Sequence, residues 1–110
     1  MIPTKIESFF IRKAIRNDVP LILSFIRELA EYEKLSHEVV ATEALLVETL
    51  FGDRQTAEVL IGEYQSAPAA LALFFHNFST FLGRPGIYLE DLFVKQPFRG
   101  KGLGKCILTY

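Results

Sequence analysis

Two acids, Glu90 and Asp91, stand side by side inside the apolar run Leu89-Glu90-Asp91-Leu92-Phe93-Val94, and a basic glycine-rich segment follows as Arg99-Gly100-Lys101-Gly102-Leu103-Gly104-Lys105. Carboxylates within an apolar strand are costly unless partnered. They therefore read either as ordinary ion-paired acids or as groups that take up a proton or hold a cation. Neighbours on a strand point to opposite faces, so only one of the two is expected to meet a given ligand. Pro97 forbids continuation of the run as a central strand. Beyond it, Gly100, Gly102 and Gly104 leave successive backbone N–H groups unshielded, and Leu103, Cys106, Ile107 and Tyr110 recur at helical spacing. Bare N–H groups at a helix start, flanked by Arg99, Lys101 and Lys105, suit phosphate oxygens.

The spacing of this segment narrows the ligand. A Walker A loop would need glycine at Arg99 and a hydroxyl at Cys106, so it fails twice. The dinucleotide fingerprint fails from Gly100, which would require glycine at Lys105, and from Gly102, which would require it at Ile107. The pattern that fits is Arg-x-x-Gly-x-Gly, Arg99 to Gly104, directly after an apolar strand. It resembles the acetyl-CoA pyrophosphate loop of the GNAT superfamily of N-acetyltransferases.

The elements that must position these groups follow from periodicity. Phe9 to Ile15 reads as a strand. Asn17-Asp18 offers a helix cap with Pro20 in the first turn, and Val19, Ile22, Leu23, Ile26, Leu29 and Ala30 form one stripe running to about Tyr32-Glu33. Leu35 to Val40 is a loop. Thr42 caps a second helix carrying Leu45, Leu46, Leu50 and Phe51, which Gly52 stops. A charged turn, Asp53-Arg54-Gln55, leads to strands Ala57 to Tyr64, Ala69 to Phe78 and Ile87 to Val94. Gln65-Ser66-Ala67-Pro68 and Gly83-Arg84-Pro85-Gly86 punctuate them. Ala69 to Phe78 is apolar enough to be buried on both faces. The expected fold class is α/β: a mixed, largely antiparallel sheet flanked by helices in the order β-α-α-β-β-β-α.

Composition sets limits. The 110 residues are half hydrophobic, with a net charge of −1 and a single cysteine. That is enough for one core and gives no reason to expect a nucleic-acid partner. It excludes an internal disulfide or cysteine-only metal site and fits a reducing cytoplasm. Neither a secretory signal nor a membrane span is read in the chain.

The element order is also that of the GNAT superfamily. Glu28-Leu29-Ala30-Glu31-Tyr32-Glu33 and Tyr88-Leu89-Glu90-Asp91-Leu92-Phe93-Val94 resemble the spermidine/spermine (diamine) acetyltransferases. The resemblance implies a single, incomplete domain over residues 1–110. The chain stops at Tyr110 partway through a helix, before the closing strands and before the tyrosine that protonates the departing thiolate. It implies acetyl-CoA as co-substrate, held by Arg99, Gly100, Lys101, Gly102, Leu103, Gly104 and Lys105, with the backbone of Phe93 and Val94 on the pantetheine arm. It implies Glu90 as the base-like group, with Tyr32, Glu33, Glu90 and Asp91 around a small amine. A homodimer in the cytoplasm, with no metal, nucleic-acid or membrane partner, completes the expectation. The polyamine enzymes carry a tryptophan in the region matching Ser79–Pro85, and this chain has none, so a lysine-like amino acid such as thialysine stands beside polyamine as the acceptor. A non-catalytic CoA-binding module and an inactive fragment remain alternatives.

Other residues read as structural. Cys106 lies on the apolar side of its helix as a small hydrophobe. Glu28 lies off the apolar stripe and is expected in solvent. Phe74, Phe75, Phe78 and Phe81 read mainly as core and cleft wall. His37 and His76 have no second ligand at metal spacing.

Overall fold

The structure, a computed structural model, describes residues 2–35, 37, 39–53 and 55–109. Arg54 of the expected charged turn and Tyr110 of the last apolar stripe lie outside the described residues. The chain divides into two compact units, a sheet unit of Met1–Lys13 and Ala57–Tyr110 and a helical unit of Ala14–Thr56.

In the sheet unit, strands β1 (Ile2–Pro3), β2 (Phe9–Lys13), β3 (Glu58–Tyr64), β4 (Ala67–Ser79) and β5 (Arg84–Val94) pair in sequence order, and every pairing is antiparallel. The short β1 adds an element to the expected order, and β2 stops at Lys13 rather than Ile15. Alternation decides β2, whose Phe9 and Ile11 are buried while Phe10 and Arg12 are only half-buried. Arg12 Nε donates to Glu63 Oε2 of β3 at 2.6 Å. Gly62 has no side chain for a packing reason: a Cβ there would lie 2.6 Å from the Phe9 ring.

β3 turns into β4 through Gln65 and Ser66, both at positive φ (50° and 68°). Positive φ at both central residues is what a type I′ hairpin turn requires. Helix α3 (Leu103–Leu108) packs Leu103 and Ile107 into a cluster with Phe9, Ile11, Leu60, Ala70 and Ala72 of the sheet. Cys106 is half-buried at the edge of the same cluster, in the small-hydrophobe role expected of it.

The expectation that β4 is buried throughout holds only for Ala69 to Ala72. β3 pairs with β4 no further than Phe74, so beyond it β4 and β5 continue as a two-stranded ribbon. A ribbon has no third strand to cover it. Phe78 is accordingly exposed, and Phe81 at the tip is fully so; neither is core. His76, on the ribbon, is held by Glu58 Oε2 at 2.8 Å.

In the helical unit, α1 (Val19–Tyr32) buries Val19, Ile22, Leu23, Phe25 and Ala30, and α2 (Glu43–Phe51) buries Leu46 and Leu50. Phe25 is 1 % exposed although it falls outside the expected stripe. Asp18 occupies the N-cap position of α1 as expected, but its side chain makes no cap bond to the helix; its Oδ2 accepts instead from the Ile15 N–H at 2.7 Å, across the 3₁₀ turn at Arg16–Asp18 that leads into the helix. Thr42 does cap α2, its Oγ1 accepting from the Leu45 N–H at 3.2 Å. Gly52 stops α2 in an extended rather than left-handed conformation, and a Cβ there would stand 2.3 Å from the Glu48 carbonyl oxygen. No helix among the described residues is long and apolar enough to cross a membrane.

Candidate active site

The register of β5 against β4 changes at the acid pair. Val94, Phe93, Leu92 and Asp91 lie opposite Ala70, Leu71, Ala72 and Leu73, but the next residue of β4, Phe74, lies opposite Leu89. Glu90 is the extra residue of a β-bulge. Residues directly opposite one another share a face, so Asp91 is on the face of Leu73, and Tyr88, opposite Phe75, is on that face too. The Tyr88 and Phe75 rings stack at 4.9 Å. Leu89 and Leu92 occupy the other face. Simple alternation across Glu90-Asp91 therefore does not hold, because the bulge inserts one residue into the count. Nor is the pair buried as expected: Glu90 is exposed and Asp91 half-buried, since the bulge sits where the sheet narrows to the ribbon.

The segment leaving β5 is tightly tied. Lys95 N–H donates to the Ala69 carbonyl at 2.8 Å, and a 3₁₀ turn over Gln96–Phe98 accommodates Pro97. Arg99 Nε donates to the Val94 carbonyl at 2.9 Å, and its guanidinium lies 5.4 Å from the Phe93 ring centroid. Gly100 and Gly102 both adopt left-handed backbone, at φ of 82° and 78°. A Cβ on Gly100 would meet nothing within 4 Å, so that side of the loop is open. Gly102 then opens α3, its carbonyl accepting from the Cys106 N–H at 3.0 Å. The first N–H groups of a helix have no carbonyl within it to bond, which frees those of Leu103, Gly104 and Lys105.

The Leu103 side chain is buried, so only its backbone faces any ligand. Gly104 lies against β5, where a Cβ would sit 3.6 Å from Leu92 and from Val94. Lys101 Nζ lies 5.4 Å from the Tyr64 ring centroid, and Lys105 is exposed. The ring platforms of Tyr64 and Phe93 were not legible as such, because aromatic residues in strands read simply as core. Among the described residues no cluster of His, Cys, Asp and Glu forms a metal site.

Glu90, Asp91, Phe93, Val94 and Arg99 to Lys105 thus lie together along the end of one strand and its exit. Tyr32 and Glu33 belong to the helical unit. They end α1 as expected, and the termination is a Schellman motif. Lys34, at φ 60°, donates its N–H to the Glu31 carbonyl at 3.0 Å, and Leu35 N–H donates to Ala30 at 2.7 Å. Tyr32 and Glu33 are exposed. Glu28 is half-buried and engaged rather than in solvent.

A family model described as the acetyltransferase (GNAT) family matches residues 24–110. Among curated proteins, thialysine N-epsilon-acetyltransferase of Bos taurus is 42% identical over 89% of this chain and 62% of its own length. L-ornithine N5-acetyltransferase of Arabidopsis thaliana is 31% identical over 90% of this chain and 63% of its own length. The chain thus spans a little under two thirds of both relatives. A possible acetyltransferase from Clostridium difficile 630 has the same fold, with a TM-score of 0.73 at 19% identity over 94% of this chain and 68% of that one.

Proposed function

Because the chain belongs to the GNAT acetyltransferase family, we propose that it transfers an acetyl group from acetyl-CoA to a primary amine of a small polyamine or lysine-like acceptor. The observation that carries the reading is the continuity of one strand. β5 presents Glu90 on a bulge and leads, through a turn tied back to Val94, into Gly100 and Gly102 at positive φ.

The residues fit a pyrophosphate. The open side of Gly100, the free N–H groups at the start of α3 and the charges of Arg99, Lys101 and Lys105 supply donors and positive potential without a metal. Backbone groups of Phe93 and Val94 lie next to that loop and serve the pantetheine arm in this reading.

An alkyl ammonium has a solution pKa of about 10 and must lose a proton before it can attack. Glu90, exposed at the bulge, takes that proton directly or through water, and Asp91, Tyr32 and Glu33 hold acceptor charge. The amine lone pair then forms the C–N bond at the thioester carbonyl. The tetrahedral intermediate collapses, and the C–S bonding electrons leave with sulfur. The nitrogen, cationic after the attack, gives up its second proton and the thiolate takes one up, which leaves a neutral amide and the CoA thiol. The assembly is a cytoplasmic homodimer in this reading, supported by apolar surface on the ribbon at Phe78, Phe81, Leu82 and Ile87.

The test is thermal unfolding with acetyl-CoA, followed by turnover with diamines and with lysine-like amino acids. A ligand at a hundredfold excess over its Kd stabilises by about 2.7 kcal/mol. No stabilisation overturns the donor site, and stabilisation without turnover of any amine overturns the transferase reading.

A further inference from the structure

We propose that the helical unit carries a recognition pocket for the head group of an α-amino acid, with Arg27 binding the carboxylate and Glu31 the α-ammonium. The inference rests on the acetyl-transfer reading only in taking the acceptor as the leading source of that head group.

A cavity of about 320 Å³ is lined by Arg27, Glu31, Val39 and Ala41. That volume is at the small end of ligand sites, which run from roughly 300 to 1,000 Å³. The local fold explains it. Arg27 and Glu31 are one turn apart on α1, so their Cβ atoms are roughly 5–6 Å apart on one face. The Schellman turn at Lys34 ends the helix, and half-buried Val39 and Ala41 precede the α2 cap at Thr42.

The two charges are opposite, yet among the described residues neither makes an ion pair or side-chain hydrogen bond. Arginine preceding an acid by four is the weaker orientation for a direct bridge within a helix, so the pair stays open to a third party. An α-amino acid presents the complementary charges on one carbon. Its carboxylate can engage the planar guanidinium through two N–H groups, its ammonium faces Glu31, and the aliphatic walls cover its first methylenes. A polyamine offers no carboxylate, and its ammonium groups are repelled by Arg27. The pocket therefore selects for amino-acid over diamine by attraction and repulsion together.

L-Ornithine and 1,4-diaminobutane differ by that carboxylate alone, which makes them the probes. With the full-length protein at saturating acetyl-CoA, Arg27→Gln should raise the ratio of the ornithine KM to the diaminobutane KM by about tenfold, the order expected for a charge-assisted pair. The change should fall in KM rather than kcat, and Arg27→Lys should recover part of it. Glu31→Gln should weaken ornithine as well. An unchanged ratio in Arg27→Gln overturns the proposal.

L-Alanine, a head group without a reacting amine, separates the two sources. Competition with L-ornithine places the acceptor's own head group in the pocket. An Arg27-dependent change in diaminobutane turnover without competition places a free amino acid there as effector. Should no amine be acetylated, the acetyl-transfer reading falls, and the pocket is still decided by melting with L-ornithine. A stabilisation of the unmodified protein that Arg27→Gln loses supports it, and equal or absent stabilisation overturns it. Gln is a good helix former at this exposed position, so the variant keeps the fold.

Discussion

Arg99 Nε donates to the carbonyl oxygen of Val94 at 2.9 Å, which fastens the glycine loop to the end of the strand it leaves. The same guanidinium lies over the Phe93 ring. A lysine has neither the Nε donor nor the planar face, so Arg99→Lys is not a conservative change here. We expect Arg99→Lys to lower stability by about 1 kcal/mol and to weaken acetyl-CoA despite the retained charge. Chemical denaturation and calorimetric titration check it. Unaltered affinity in the lysine variant would mean that only the charge of Arg99 matters.

The bulge gives Glu90 a position unlike that of any other acid on β5, opposite no residue of β4. Glu90→Gln removes the proton acceptor while keeping size and strand geometry. Turnover of the complete protein should fall by about 10²-fold, the lower end for general base catalysis. The Kd for acetyl-CoA should stay as it was, since the loop from Arg99 onward is untouched. Wild-type turnover in this variant would remove Glu90 as base.

Gly102 starts α3 at a φ of 78°, a conformation that a β-branched residue adopts only at a cost. A Cβ there would come no nearer to the protein than 3.9 Å, at Ile6, so no clash within the fold opposes a side chain. The penalty in Gly102→Val is therefore conformational, together with obstruction of whatever approaches the N–H groups. Acetyl-CoA should no longer raise the melting temperature of this variant. If it still does, the loop does not hold the donor.

How much of this the sequence makes legible depends on the kind of interaction. The helices, the strands and the glycine loop come from periodicity and from glycine placement, which are local. The bulge at Glu90 does not, because it is defined by the partner strand: only the pairing of Leu73 with Asp91 and of Phe74 with Leu89 reveals it. The exposure of Phe78 and Phe81 is likewise a matter of where β3 stops. Phe25 lies off the α1 stripe in sequence and is buried all the same. The opposite charges at Arg27 and Glu31 look like any solvated helix face until Val39 and Ala41 are seen beside them.

The end of α1 is a further case. Lys34 occupies the left-handed position of a Schellman motif, where glycine is the usual choice because it has no Cβ to strain. Lys34→Gly should therefore stabilise the protein, by about 0.5–1 kcal/mol, without moving Tyr32 or Glu33. Urea denaturation measures it. A destabilised Lys34→Gly would show that the lysine side chain contributes more than its backbone strain removes.

Gly62 of β3 lies opposite Ile11, and the ring of Phe9 fills the space a side chain would take. A Cβ 2.6 Å from that ring is not tolerable contact, and Phe9 is itself buried with nowhere to turn. Strand propensity alone favours alanine over glycine, so propensity and packing predict opposite signs for Gly62→Ala. Packing should win. Overpacking of this kind costs about 1–3 kcal/mol, more than the backbone entropy recovered. The double variant Gly62→Ala, Phe9→Leu should recover part of the loss by removing the ring. Denaturant midpoints for the single and double variants decide it, and a stabilised Gly62→Ala would mean that the Phe9 ring does not lie across the strand as described.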